Sequence, residues 1–145
     1  LFRSGDDMDS GQIVYSQHTK ISAEDFIELL KRSTLAERRP VHDKERIQSM
    51  LDHANILITA WSQDKLVGVS RALSDFSFCC YLSDLAVDVA FQKQGIGKRL
   101  IDETHAVSGL STMLILLAAP AATEYYPKIG MEKFSDCFVI RRKTL

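Results

Sequence analysis

The chain has 145 residues, of which 46% are hydrophobic and 26% are charged, a composition typical of a globular protein. Eighteen basic residues stand against nineteen acidic ones, and the resulting net charge of −1 argues against general binding of nucleic acid. No apolar run reaches the roughly 18–20 residues that a membrane-spanning helix needs, so no association with a membrane is expected. We expect a single domain over residues 1–145, of which residues 1–11 are flexible or in part not native.

The cysteines predict neither a disulfide nor a metal site. There are three of them, and the adjacent Cys79 and Cys80 point to opposite faces of a predicted strand, where they cannot bridge or share a metal. No Cys or His spacing typical of metal ligands occurs in the sequence. Free thiols are typical of a reducing compartment, so the cytoplasm is the expected location.

The first half of the chain predicts two helices and three strands. Ser22 begins an S-x-x-D pattern that caps a helix, which should run to about Arg32. Asp43 can cap a second helix, which follows the polar loop Thr34–His42. Alternating or apolar runs predict the strands, with a hairpin between the last two. These strands are Gln12–Ser16, Ile56–Trp61 and Lys65–Leu73.

The second half predicts a buried strand, a helix and three short elements. The long apolar run Phe76–Val87 is typical of a strand buried on both faces. Gln94–Ser108 has apolar residues at helical spacing and should end at Gly109. The resulting order βααβββαβαβ predicts an α/β domain of the α+β type, with a central, mostly antiparallel mixed sheet and about four helices. The short elements are a strand at Met113–Leu117, a helix around Thr123–Lys128 and a strand at Cys137–Arg142.

The loop that opens the third predicted helix has the features of an anion site. Backbone N–H groups in the first turn of a helix have no internal partner, and the helix dipole there favours negative charge. Gly95 and Gly97 remove side chains near this turn, while Lys93, Lys98 and Arg99 add positive charge. The arrangement suits a phosphate or pyrophosphate, and the alternative is an ordinary loop before a helix.

This loop resembles a signature of a known enzyme family. Gln92–Gly97 is similar to the Q/R-x-x-G-x-G/A motif with which GNAT N-acetyltransferases bind the pyrophosphate of coenzyme A. The preceding Asp84–Val87 resembles the end of the family's fourth strand, which splays from its neighbour and binds the pantetheine arm and the thioester carbonyl. The resemblance implies a GNAT fold, acetyl-CoA as cofactor and the cofactor-binding residues Leu85, Ala86, Val87, Gln92, Lys93, Gln94, Gly95, Ile96, Gly97 and Lys98.

A second segment resembles the same family. Tyr125–Met131 is similar to the family's F-Y-x-x-x-G-F segment, which places Tyr126 where a tyrosine often protonates the departing thiolate of coenzyme A. A phenol held against the sulfur can donate a proton to such a leaving group. The resemblance therefore implies a catalytic and cofactor-binding role for Tyr126. The alternative is a packing residue that only touches coenzyme A.

The general base and the acceptor site are less clearly marked. Strand alternation directs Tyr81 and Ser83 toward the acceptor, and neither side chain is a good base. Asp84 is the nearest carboxylate and the candidate base, although it adjoins a facing residue and could equally accept bonds from loop amides. Arg38, Arg39 and His42 in the loop after the first helix are further candidates for acceptor binding, and the arginines favour a carboxylate or phosphate. No metal is implied.

The resemblance implies an N-acetyltransferase in which a primary amine attacks acetyl-CoA directly. We expect a small-molecule amine as acceptor, and homodimers are frequent in the family. Two alternatives are a protein or peptide N-acetyltransferase and a non-catalytic acyl-CoA-binding or regulatory module, the latter because a base is missing. A relative that acetylates aminoacyl-tRNA is disfavoured by the balanced charge.

Overall fold

The structure, a computed structural model, describes residues 12–143. Contacts within the chain separate two units, residues 12–115 and residues 116–143. The expectation for residues 1–11 lies outside the described residues, and the single domain over 1–145 stays a prediction. Within 12–143, no helix has the length and apolar character needed to span a bilayer.

The first unit is built on one five-stranded sheet in the order β1-β2-β3-β4-β5. All neighbouring strands are antiparallel except β4 and β5, which run parallel. This confirms the predicted mixed and mostly antiparallel sheet. The strands are β1 (Ile13–Ser16), β2 (Ile56–Ser62), β3 (Lys65–Ser74), β4 (Cys79–Val87) and β5 (Met113–Ile115).

Helices cover both faces of this sheet. The side chains of Ser22 and Asp43 accept the predicted capping bonds, each at 3.0 Å, from the N–H groups three residues on. The helices of the first unit are α1 (Ala23–Arg32), α2 (Lys44–His53) and α3 (Ile96–Ser108). α1 and α2 pack on one face over a core that includes Phe26, Leu30, Ile47, Val69 and Ala86.

α3 lies on the opposite face and approaches β3 closely. A Cβ added to Gly68 would meet the side chains of Ile96 and Leu100 at 3.2 and 3.1 Å, so only glycine lets the helix come this near. The hydroxyls of Ser70 and Thr104 hydrogen-bond across the same contact at 2.6 Å. These contacts fix the first turn of α3 beside the end of β4.

β4 begins later than predicted, because residues 76–78 form a turn. One carboxylate oxygen of Asp75 accepts N–H bonds from Ser77, Phe78 and Cys79 at 2.8–3.1 Å, and Phe76 takes a left-handed φ of 59°. The strand itself alternates buried residues with residues that are partly or fully exposed, so the expectation of burial on both faces is wrong.

The predicted closing strand at Cys137–Arg142 is also wrong. The second unit contains the short helix α4 (Tyr125–Lys128), and residues 137–142 form no strand. A strand is stabilised by pairing with an edge and by burying one face, whereas Phe138 is 91% and Ile140 100% exposed. The segment has the apolar composition of a strand but gains none of the burial that would form one.

Candidate active site

The edge of β4 is open along the half of the strand that precedes the anion loop. β4 pairs with β5 only from Cys79 to Tyr81, whose partner is Ile115. Within residues 12–143, no strand pairs with that side of Leu82–Val87. The outward backbone groups of this half therefore have no strand partner, and their predicted contact with the pantetheine arm and the thioester stays a prediction.

The pairing with β3 determines which backbone groups face the open side. Asp88 N–H donates to Val67 O at 2.8 Å, so these two residues form a hydrogen-bonded pair at the end of the ladder. Such pairs alternate with non-hydrogen-bonded pairs in antiparallel strands. Leu85 and Val87 therefore direct their N–H and C=O groups outward, whereas Ala86 bonds to β3. The backbone of Ala86 is thus engaged within the sheet, unlike that of its two neighbours.

The loop after β4 leads into α3 with free amide donors. Gly95 precedes the helix with a φ of 83° and supplies no side-chain cap, and Arg99 N–H makes the first helical bond, to Gly95 O at 3.0 Å. The N–H groups of Ile96, Gly97 and Lys98 consequently lack helical acceptors. Together with the positive end of the helix dipole, these donors could hold an anion, and binding of a pyrophosphate here stays a prediction.

Side-chain charge contributes less to this turn than the sequence suggested. Lys98 pairs with Asp102 at 2.8 Å and Arg99 pairs with Glu103 at 2.8 Å, both one turn further along the helix. Lys93 and Gln94 are exposed. The positive electrostatic potential at this turn therefore comes chiefly from backbone dipoles, with Lys93 as the exposed cation beside them.

Gln92 and Asp88 tie the loop to the end of β4. Gln92 Nε2 donates to Val87 O at 3.1 Å. Asp88 is only 3% exposed and accepts bonds from Arg32 Nε and Ala90 N, both at 2.9 Å. Asp88 was not among the predicted site residues, although an aspartate directly after an apolar strand is a usual start of a turn.

A buried charge cluster occupies the middle of β4. Asp84 is fully buried and accepts bonds from the guanidiniums of both Arg39 and Arg71. Both arginines also donate to Ser83. Arg39 donates to the carbonyl oxygen of Ser83 at 2.7 Å, and Arg71 donates to the hydroxyl of Ser83 at 3.2 Å. The cluster thereby joins the loop after α1 to β3 and β4. Arg71 was not among the predicted site residues either, because its partner is 13 residues away and no local pattern marks the pair.

A β-bulge explains the direction of Asp84. Arg71 pairs with Asp84 while the next residue of β3 pairs with Leu82, so Ser83 is an extra residue on β4. The bulge reverses the alternation, and Asp84 lies on the same face as Tyr81 rather than on the opposite one. The expectation from simple alternation is therefore wrong at this position.

The geometry favours the structural alternative for Asp84. A carboxylate enclosed by two guanidiniums and shielded from solvent has no path to an acceptor amine, so a base function is not supported. The guanidinium of Arg39 is likewise engaged rather than available to an anionic acceptor, its side chain being 21% exposed. Arg38, His42 and Tyr81 are exposed on the surface of the first unit, and their acceptor-binding roles stay predictions.

Tyr126 lies on α4 in the second unit. Burial, followed by the nearby Tyr125, raises the pKa of Tyr126 above its usual value, so the phenol is protonated at neutral pH and able to donate. The rings of Tyr125 and Tyr126 meet edge to face at 5.2 Å. Gly130 ends this helical turn with a φ of 97°, which explains the glycine four residues after Tyr126.

Comparison with known proteins identifies the family. The sequence profile described as "Acetyltransferase (GNAT) domain" matches residues 19–140. An uncharacterized N-acetyltransferase of Porphyra purpurea is 31% identical over 107 residues, covering 68% of this chain and 59% of that protein. A histone acetyltransferase of Glycine max is 34% identical over 77 residues, covering 48% of this chain and 31% of that protein. The chain thus spans less than two thirds of the length of these curated relatives.

Solved structures share the fold. A probable acetyltransferase from meticillin-resistant Staphylococcus aureus superposes with a TM-score of 0.75 at 20% identity, covering 92% of this chain and 100% of that one. An aminoglycoside acetyltransferase from a soil metagenomic sample, in complex with sisomicin, gives 0.66 at 21% identity, with 90% and 97% covered. The profile match over more than half of the sequence and the shared fold lead to one conclusion. The chain belongs to the GNAT acetyltransferase family.

Proposed function

We propose that this protein is an acyltransferase that moves an acetyl group from acetyl-CoA to a primary amine by direct attack. The observation that carries the proposal is the continuity of two backbone donor sets within the first unit. The outward groups of Leu85 and Val87 lead, through a loop tied down by Gln92 and Asp88, to the free amides of Ile96–Lys98. One set suits a thioester with its amide-containing arm, and the other suits a pyrophosphate.

In the reaction, the amine nitrogen forms a bond to the acetyl carbon and the carbon–sulfur bond breaks. An outward N–H group of β4 stabilises the negative charge that develops on the carbonyl oxygen. The nitrogen loses a proton, and the sulfur leaves as a thiolate that takes a proton from Tyr126. Since Asp84 is enclosed, we propose that the amine reacts in its neutral form and releases its proton to water, and that water in turn reprotonates the Tyr126 phenolate.

A small-molecule amine is the proposed acceptor, in preference to a protein. Two of the similar proteins are named after their acceptors, one after histones and the other after aminoglycosides. The engagement of Arg39 by Asp84 removes one of the two cations that favoured an anionic acceptor. We therefore propose an acceptor that carries no carboxylate or phosphate beside its amine.

The test measures coenzyme A release from acetyl-CoA over a panel of amines with a thiol-reactive dye. We expect release that depends on the amine, and a drop in kcat of roughly 10²–10⁴-fold in Tyr126→Phe. Tyr125→Phe is the matched control, because it removes the neighbouring phenol, and it should change kcat by no more than a few fold. Binding of acetyl-CoA without release for any amine would replace the proposal by an acyl-CoA-binding module.

A further inference from the structure

A cleft of about 390 Å³ lies where β4 pairs with β5. Leu73, Tyr81 and Ile115 stand opposite one another on three successive strands, and Cys79 and Met113 form the next such pair. Side chains opposite each other in a ladder share one face of the sheet. All five therefore project from the same face, which is also the face of Asp84 and the loop after α1.

The lining is apolar and open to solvent. Tyr81 is 38% exposed, Leu73 42%, Ile115 45% and Met113 61%. An adjoining group of exposed apolar side chains is typical of a binding site rather than of an ordinary surface. The volume also falls in the range of pockets for small molecules.

The amide and carboxylate groups of the cleft are already engaged in hydrogen bonds. The side-chain amide of Asn55 donates to Ser74 O at 2.7 Å, and its oxygen accepts a bond from Ser74 N–H at 2.9 Å. One oxygen of Asp75 accepts three backbone N–H bonds, and the pKa of this carboxyl is lowered to about 2, so it is ionised throughout the physiological range. Among the described residues, no lysine or arginine lines the cleft. The cleft therefore offers apolar contact and a negative potential.

The cleft is continuous with the proposed thioester site. It ends at Tyr81 and Ile115, the last pair before the edge of β4 opens. Leu85, with its outward backbone groups, is four residues further along, roughly 13 Å in an extended strand. One acceptor molecule can therefore reach both places.

We propose that this cleft binds the body of the acceptor and that the acceptor is a primary amine with an apolar alkyl or aromatic body. The body carries no carboxylate or phosphate at its far end, because Asp75 repels an anion there. The proposal rests on the proposed acetyl transfer and adds the class of its substrate.

The first experiment compares pentylamine, decylamine and 10-aminodecanoate as acceptors in the coenzyme A release assay. Each buried methylene contributes about fourfold to binding, so kcat/KM for decylamine, whose chain is long enough to reach the cleft, should exceed that for pentylamine by roughly tenfold or more. Adding the terminal carboxylate should cancel this gain. Equal values for the three amines would overturn the proposal.

Two substitutions at exposed positions test whether the dependence on chain length arises in the cleft. Met113→Lys places a cation in the cleft and should lower kcat/KM for decylamine about tenfold while raising the relative rate with 10-aminodecanoate. Val14→Lys is the control, since Val14 is 55% exposed on β1 at the other edge of the sheet. It should leave both values unchanged.

Calorimetric titration of the CoA-loaded protein with decylamine separates the two proposals. Binding that Met113→Lys abolishes, without release for any amine, supports the cleft and refutes acetyl transfer. Coenzyme A release that depends on neither the chain length nor the two substitutions refutes the cleft but supports acetyl transfer. A dimer that Met113→Lys dissociates, with no dependence on chain length, assigns the surface to a second copy and also refutes the cleft.

Discussion

Two buried aspartates on either side of Leu85–Val87 hold β4 in different ways. Asp84, fully buried, is enclosed by Arg39 and Arg71 and connects three separate parts of the first unit. Asp88, at the end of the strand, pairs with Arg32, whose side chain is 32% exposed, at 2.9 Å and holds the loop that leads to α3. The short stretch of open backbone is thus fixed at both ends by ion pairs.

The contrast teaches how the two ends of the site achieve recognition. Toward α3, the ligand would meet backbone amides, and the side chains serve to hold the loop in place. Toward Tyr81, the backbone is occupied by β5 and recognition depends on side chains. The cofactor end therefore follows from a short sequence pattern, and the acceptor end follows from the pairing of distant segments.

The largest effect is expected for Asp84→Asn. The change leaves two guanidiniums without their buried counter-charge, which should lower the free energy of unfolding by about 3–5 kcal/mol. It should raise KM for the amine more than KM for acetyl-CoA, because the cluster positions the loop after α1. Urea unfolding and steady-state kinetics measure both.

The exposed pair between Glu24 and Lys44 provides the control for Asp84. Glu24→Gln removes an ion pair whose side chains are both 61% exposed, and it should leave the unfolding midpoint unchanged. An Asp84→Asn protein as stable as the wild type would contradict the structural role.

A smaller loss is expected for Asp88→Asn. An asparagine oxygen can still accept the bond from Ala90 N–H, so the change removes the charge that holds Arg32 and lowers the free energy of unfolding by about 2–3 kcal/mol. Acetyl-CoA affinity should fall more than in Asp84→Asn, as calorimetry can measure. Asp102→Asn, on the surface of α3, should keep the affinity, and the reverse ranking would break the comparison.

Gly95→Ala tests the backbone at the start of α3. The open space around Gly95 removes any steric cost, so the expected loss of about 1–2 kcal/mol arises from its φ of 83°. Gly95→Asn should lose less, because asparagine tolerates this conformation. Thermal unfolding of the two variants gives the comparison, and equal losses would contradict the explanation.

The smallest effect concerns Asp75 in the turn before β4. N–H bonds from Phe78, Ser77 and Cys79 lower its pKa from 3.8 to about 2. The stability that these bonds add is present above the unfolded pKa and is lost as the pH falls through about 2. Carboxyl carbon shifts should therefore titrate near 2 in the folded protein and near 3.8 in urea. A folded midpoint near 3.8 would show that the bonds are absent.

Local patterns predicted most of the elements and the start of α3 well. The caps at Ser22 and Asp43, the stop at Gly109 and the glycine before α3 depend on a few adjacent residues, and they appear where expected. The aspartate at position 75 is typical of a turn, but the aromatic residues that follow it favoured a longer strand.

Long-range pairing set the features that the sequence did not predict. The bulge at Ser83 arises from the register between β3 and β4, and no residue within β4 marks it. The partners Arg32 and Asp88 are 56 residues apart, so their pairing has no local pattern. The prediction of a closing strand was wrong for the same reason, because the apolar composition of residues 137–142 does not supply a strand edge to pair with.

The most direct test of the central claim is a titration of the ¹⁵N-labelled protein with coenzyme A, followed through its amide signals. We predict the largest shifts at Leu85, Val87, Ile96, Gly97 and Lys98, with little change on β1. Shifts confined to other parts of the sheet, or none at saturating coenzyme A, would contradict the placement of the cofactor on the open edge of β4 and the first turn of α3.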